Sequence, residues 1–401
     1  MKILFLTNKM PYPPKDGGSI ATLSLAESLK ELGHDIGILS MNTSKHYINS
    51  VEIPEKINNN LDISIVDINT NINIIKALQN FFFSKLPYNA ERFISKKYAN
   101  KLKEILKKKN YDIVHLEGLY LCPYIDIIKK FPGTKISLRS HNIEHEIWHR
   151  TALNEKNPIK SLYLKILAKR IKNLKIKYLN DYDFLIPITD RDARRYNYFG
   201  NRKPHIVIQT GIDMTNCKTE PNKSEYPGIF SIGALDWMPN QEGLLWFLDN
   251  VWENFSKKYP DIKFYIAGRN APKSLEKNFA RRKNVIFAGE VDDAKEFINS
   301  KSVMIVPLLS GSGMRIKIIE GMALGKLIIT TSIGTEGIDT GHNKNIIIAD
   351  TPENFFNEIE KLLTNKEDYF KITKNAVKFV AENYDNKIIA GNLVKFYEKH
   401  L

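Results

Sequence analysis

Short apolar runs alternate with helical stretches from one end of this chain to the other, and that alternation constrains its fold more than any other feature. Parallel neighbouring strands need a crossover long enough to hold a helix, so the pattern reads as βαβ units and parallel sheets. In the first half the clearest strands are KILFLT (2–7), HDIGILS (34–40), YDIVHLE (111–117), KISLRS (135–140) and DFLIPIT (183–189). A helix from Ser19 to Leu32 sets Leu25, Leu29 and Leu32 on one face and stops at Gly33. In the second half the strands are GIFSIGA (228–234), IKFYIAG (262–268), NVIFAG (284–289), SVMIVPL (302–308), KLIITTS (326–332) and NIIIAD (345–350). A length of 401 residues exceeds one ordinary core. The expected fold class is α/β, with two Rossmann-like doubly wound domains facing each other across a cleft. The polar stretch KTEPNKSEYPG (218–228) reads as the linker, with HIVIQTGID (205–213) leading into it.

The segment GSGMRIKIIEGMALGK (311–326) follows a buried strand and opens a helix that is apolar almost all round, yet it carries Arg315, Lys317 and Glu320. Charges among apolar residues are costly unless each has a partner. Gly311, Ser312, Gly313 and Met314 let backbone N–H groups approach a ligand, and the helix start favours an anion. Arg315, in the first turn, offers a fork suited to phosphate oxygens. Lys317 and Glu320 share a helix face, and a carboxylate so near a phosphate site suits ribose hydroxyls. The plainer alternative is a Lys317–Glu320 salt bridge with Arg315 on the surface.

Two further segments begin at the carboxyl ends of strands, where doubly wound domains bind ligands. NKMPYPPKDGGS (8–19) delivers Gly17 and Gly18 to a helix start without the GxGxxG pattern; a plain turn is the alternative. LRSHNIEHEIWHR (138–150) projects His141, which could contact substrate hydroxyls or merely cap the next helix. His145-Glu146-Ile147-Trp148-His149 matches the zinc-protease pattern HExxH, but a third ligand is not apparent. No metal and no cofactor is expected.

The net charge of +14 suits a polyanionic small molecule, an anionic membrane surface or nucleic acid. Much of it lies in residues 94–110, read as a solvated face, and 159–181, where Leu, Ile and Tyr mix with Lys as on a membrane-surface helix. Without aromatics interleaved among the lysines, nucleic acid is not expected as a partner. MKILFLTNKM reads as a first strand rather than a leader, and only Cys122 and Cys217 are present, so a cytoplasmic setting is expected, peripheral at the inner face of the membrane.

These residues together resemble glycosyltransferase family 4, enzymes of the GT-B fold that use nucleotide-sugar donors. The resemblance rests on residues 1–36, on LRSHNIEHEIW (138–148), and on IGALDWMPNQEGLLWF, NVIFAGEVDD and PLLSGSGMRIKIIEGMALGKLIITTSIGTEGI in the second half. It implies an acceptor domain over 1–206, a nucleotide-sugar domain over 207–384, and a last helix, 385–401, crossing back to the first. By position, Glu320 would hold the ribose, residues 312–315 the diphosphate with Arg315 and Lys317 as cations, and Gly289, Glu290 and Val291 the base. Gly17, Gly18 and His141 would sit at the reacting centre. Two departures stand out: Ser312 replaces the family's usual first glutamate, and GALDWMPNQEG lacks its usual Arg and Lys. Arg315 and Lys317 are read as compensating for the latter.

The implied activity is hexosyl transfer with retention, without a metal, from a UDP- or GDP-sugar to a glycan or lipid-linked acceptor in surface polysaccharide or glycoconjugate synthesis. A GT-B-like nucleotide-sugar epimerase or phosphorylase and a non-catalytic basic membrane-surface protein are the alternatives.

Overall fold

The computed structural model describes residues 1–14, 16–219, 224–311 and 313–401; Ser312 and the middle of the 218–228 linker lie outside these. Backbone contacts divide the chain into two units, Met1–Thr210 with Ile389–Leu401, and Gly211–Ile388.

The first unit is built on a six-stranded sheet of β1 (Lys2–Thr7), β2 (Asp35–Thr43), β3 (Ile63–Ile68), β4 (Ile113–Glu117), β5 (Lys135–Ser140) and β6 (Phe184–Pro187). Its order is β3-β2-β1-β4-β5-β6 and every pairing is parallel. Along β1, Leu4 and Leu6 enter one core while Ile3 and Phe5 enter another. Helices cover both faces, which is why these strands read as unbroken apolar runs. β3 was not among the sequence-read strands: ISIVDI alternates with polar residues because it lies at the sheet edge. The closing helix, Asn386–His400, packs Ile389, Ala390, Leu393 and Tyr397 into the core of Ile3 and Phe5. The Tyr397 hydroxyl lies 2.7 Å from Ser137 Oγ and 2.8 Å from His115 Nδ1.

The second unit repeats this plan with β7 (Ile229–Ile232), β8 (Phe264–Ala267), β9 (Val285–Gly289), β10 (Val303–Val306), β11 (Leu327–Thr330) and β12 (Ile347–Ile348), in the order β12-β11-β10-β7-β8-β9. The 345–350 run shrinks to a two-residue strand, since Asn345 and Asp350 turn to local loop contacts. Both sheets therefore reverse strand order once, between β1 and β4 and between β7 and β10. That switch point is where a doubly wound sheet opens a crevice beyond its strand ends.

A close helix approach shapes the second crevice. A Cβ on Gly243, in the Met238–Phe247 helix, would stand 2.1 Å from the Pro307 carbonyl oxygen, so only glycine lets this helix reach the end of β10. Gly243→Ala should therefore lower stability by about 2–3 kcal/mol, although alanine in an unhindered helix would add about 1 kcal/mol. A thermal melt reads the sign directly, and an unchanged or raised melting temperature would contradict the close approach.

Candidate active site

The crevice of the second unit gathers charge. The 316–323 helix (Ile316–Ala323) starts one residue later than the sequence suggested, so Arg315 occupies its N-cap rather than its first turn. The Arg315 side chain is only 5% exposed, which removes the surface alternative. It donates to the Gly313 carbonyl, and its guanidinium lies 5.8 Å from the centre of the Trp237 ring. Gly311 has φ of 123°, and a Cβ there would come within 2.9 Å of Arg315 Nη2, so glycine fits both the backbone and the space.

Lys317 donates to Asn240 Oδ1 at 2.9 Å and lies 3.4 Å from the Ile232 carbonyl at the end of β7. Asn240 in turn donates to the Ala234 carbonyl at 2.8 Å, tying the loop after β7 to the 316–323 helix. Burial, aided by the nearby Arg315, pulls the Lys317 ammonium down to about 8. No carboxylate neutralises it: among the described residues there is no Lys317–Glu320 ion pair, and its partners are a carbonyl and an amide. Arg315 and Lys317 thus bring two cations to the same helix start, an arrangement suited to a dianion. Glu320 faces elsewhere; burial raises its pKa, with Lys295 opposing and Asp293 reinforcing the shift. Lys295 and Asp293 follow Gly289–Val291, so the loop after β9 lies near the Glu320 carboxyl. Gly289 closes β9 with φ of 71°, its carbonyl accepting from Gly268 N–H at 2.8 Å; Glu290 is exposed and Val291 half-buried, as are Gly313 and Met314.

In the first unit, Gly17 and Gly18 are the opening residues of the Gly17–Glu31 helix. Asp16 caps it, accepting from Ser19 N–H at 3.0 Å and from Lys9 Nζ at 2.5 Å. Burial works against the Asp16 charge, but the Lys9 and Ser19 hydrogen bonds outweigh it and hold its pKa low. His141, just beyond β5, does not cap the next helix; that position belongs to Ile143. Its Nε2 lies 2.5 Å from Glu117 Oε2 at the end of β4. The Glu117 carboxylate also faces Arg139 at 3.4 Å and His115 at 3.3 Å. Glu117 is fully enclosed, a cost that Arg139, His141 and His115 more than offset, leaving its pKa well below the usual carboxylate range. Sequence reasoning missed Glu117, although an acid ending an apolar strand at the switch point was a usable signal. It missed Asn240 too, which stands in the first turn of the Met238–Phe247 helix, within the segment where the family's basic residues are absent.

The HExxH residues scatter. Glu146 pairs with Arg191 at 2.5 Å and Arg195 at 2.6 Å, and the His145 ring packs on Phe199. The sequence also holds two Asp-X-Asp triplets. In the first, Asp181 pairs with Lys129 at 2.8 Å and Asp183 accepts from Ile136 N–H at 2.8 Å. Asp190 and Asp192 sit in the first turn of the Asp190–Tyr198 helix. Both triplets thus have structural partners or helix-start positions.

Comparison with known proteins agrees with this architecture. The sequence model described as Glycosyltransferase Family 4 matches residues 15–216, and that described as Glycosyl transferases group 1 matches residues 226–365. The chain is 26% identical to an uncharacterized 44.6 kDa protein in the cps region of Klebsiella pneumoniae, over 98% of this chain and 99% of that one. Among solved structures it resembles Anabaena HepE, determined in complex with UDP, at 14% identity and a TM-score of 0.68, each chain covered over 100%. It also resembles sucrose-phosphate synthase of Thermosynechococcus elongatus, at 13% identity and a TM-score of 0.71, over 100% and 99% of the two chains. With two Rossmann-like domains of the GT-B type and a match across most of its length, the chain belongs to glycosyltransferase family 4 and is a glycosyltransferase.

Proposed function

We propose that this enzyme takes a UDP- or GDP-sugar and passes the sugar, with retention and without a divalent ion, to a lipid-linked or glycan acceptor in surface polysaccharide or glycoconjugate synthesis. The observation that carries the donor reading is the pair Arg315 and Lys317 at the switch point of the second unit, on the same helix as the half-buried Glu320. HepE was solved with UDP and with UDP-glucose, and the Klebsiella relative comes from a cps region; both support the donor and pathway assignments.

The chemistry asks for stabilisation of the negative charge that grows on the departing diphosphate. Arg315 supplies a planar fork and Lys317 a point charge, held by Asn240 before the donor arrives. Glu320 accepts from the ribose hydroxyls, and its raised pKa suits a carboxyl that also shares a proton with such a partner. By the family resemblance, Gly17, Gly18 and His141, its ring fixed by Glu117, are the first unit's candidates for contacting the sugar. The acceptor oxygen attacks the anomeric carbon from the face the diphosphate leaves, and the departing phosphate oxygen takes the acceptor proton.

Thermal shift against UDP-, GDP-, ADP- and CMP-sugars, each with and without EDTA, tests the donor reading. A ligand at 100 times its Kd should stabilise by about 2.7 kcal/mol, a rise of several degrees. We expect this with a UDP- or GDP-sugar, unchanged by EDTA and abolished by Glu320→Ala. No shift with any nucleotide-sugar sinks the donor reading, and a shift that EDTA removes sinks metal independence. Turnover of the donor alone, with C-epimer as product, would favour the epimerase instead.

A further inference from the structure

The Ile74–Phe83 helix of the first unit carries its apolar residues outward. Ile72, Ile74, Ile75, Leu78, Phe82 and Phe83 are between 54% and 89% exposed. At 100° per residue, Ile74, Leu78 and Phe82 form one stripe with Ile75 alongside. The opposite side is fastened: Arg170 donates to the Asn80 and Phe81 carbonyls at 3.1 and 2.6 Å, and the Phe81 ring lies 5.8 Å from Tyr163. The helix is therefore held in place with its apolar stripe to solvent, not loosely placed.

Its surroundings are basic. Lys76 lies within the helix and Lys85 just after it, both exposed. The helix that fastens it, Pro158–Tyr178, carries Lys165, Lys169 and Lys172 on the side away from Tyr163 and Arg170, and neither helix contains an Asp or Glu. This sharpens the earlier reading of 159–181: Leu164, Leu167, Ile171 and Leu174 of that helix face the core, while Ile159 and Leu162 near its start stay exposed. A second copy of this chain would bring lysines against lysines. An apolar stripe rimmed by cations instead matches an anionic bilayer, with apolar side chains at the acyl boundary and ammonium groups at the phosphates.

We propose that the Ile74–Phe83 helix docks the first unit on an anionic lipid surface, its Ile74–Leu78–Phe82 stripe entering the headgroup layer and Lys76 and Lys85 meeting lipid phosphates. This deepens the membrane-side acceptor reading and rests on it for its purpose, but lipid binding itself requires neither donor nor acceptor.

The test is flotation of the full-length protein, without nucleotide, on vesicles of phosphatidylcholine alone or mixed with phosphatidylglycerol. The wild type should float with the mixed vesicles and bind the neutral ones at least about tenfold more weakly. Leu78→Glu with Phe82→Glu should lose mixed-vesicle binding by at least about tenfold, both sites being exposed, with an unchanged melting temperature. Phe83→Trp should show a blue-shifted emission on mixed vesicles, which surface adhesion through lysines alone would not give. The proposal fails if the wild type does not float, if the double variant floats equally well, or if the wild type is a dimer that the double variant dissociates. A thermal shift with nucleotide-sugar in the same double variant reports the donor site separately, so failure of one reading leaves the other measurable.

Discussion

Lys317→Met should cut kcat/KM for the nucleotide-sugar by about 10²–10³ and at the same time make the second unit more stable. The two effects have one cause. Burial holds the Lys317 pKa down to about 8 against 10.5 in the unfolded chain, so the folded protein pays to keep this ammonium charged. Because the side chain is half-buried, the relief on removing it is screened to about 1–3 kcal/mol. The sign with pH follows from the depressed value. The unfolded chain binds more protons between pH 8 and 10.5, so stability is least below the folded pKa and rises as pH climbs through that window. Donor binding runs the other way, since only the charged form attracts a diphosphate. Between pH 7.5 and 9 donor affinity should fall about eightfold, and Lys317→Arg should flatten that profile because guanidinium does not titrate there. A methionine variant that binds donor as well as the wild type, or that melts lower, would show that Lys317 is a structural residue.

Glu117→Gln should produce the largest loss of stability, about 3–5 kcal/mol, because it strands Arg139, which is only 1% exposed, without its carboxylate. The melting temperature should drop by about 10 °C. The pH dependence has the opposite sense to that of Lys317. The Glu117 pKa is depressed in the fold, so its contribution is complete above the unfolded carboxylate value and is lost as pH falls through the folded one. Acid melts should therefore separate the two proteins less and less toward low pH. Transfer should fall as well, since His141 exchanges the charged oxygen that orients its ring at 2.5 Å for a neutral amide, which holds it less strongly. Glu117→Asp separates the roles: it keeps the charge for Arg139 but shortens the reach to His141, so it should recover stability more fully than rate. Equal recovery of both would argue against an orienting role.

Most strands of the two sheets were legible because they are buried on both faces, which leaves little polar alternation to confuse the pattern. β3 escaped because one of its faces is at the sheet edge, and the 345–350 run was overread because apolar residues alone do not show where pairing ends. Gly311–Glu320 was legible because its glycines and charges are local in sequence. What escaped depends on distant partners. Asn240 meets Lys317 from 77 residues away, and Glu117 meets Arg139 and His141 across neighbouring strands. The Ile74–Phe83 helix was hidden for a different reason: its composition is that of a core helix, and only the fold shows which side is packed.

The closing helix has a consequence for how the chain is made. Ile389, Ala390, Leu393 and Tyr397 complete the core that Ile3 and Phe5 begin, so the first domain is split by the whole of the second. On the ribosome, residues 1–210 would emerge with one sheet face only partly covered, by the Gly17–Glu31 helix, and wait for 389–401. At ordinary elongation rates that interval is about ten to forty seconds, long enough for the second domain, which is continuous in sequence, to finish folding first. The order of synthesis and the order of completion are thus reversed, and the half-built sheet of Ile3 and Phe5 is the surface that cellular chaperones would meet.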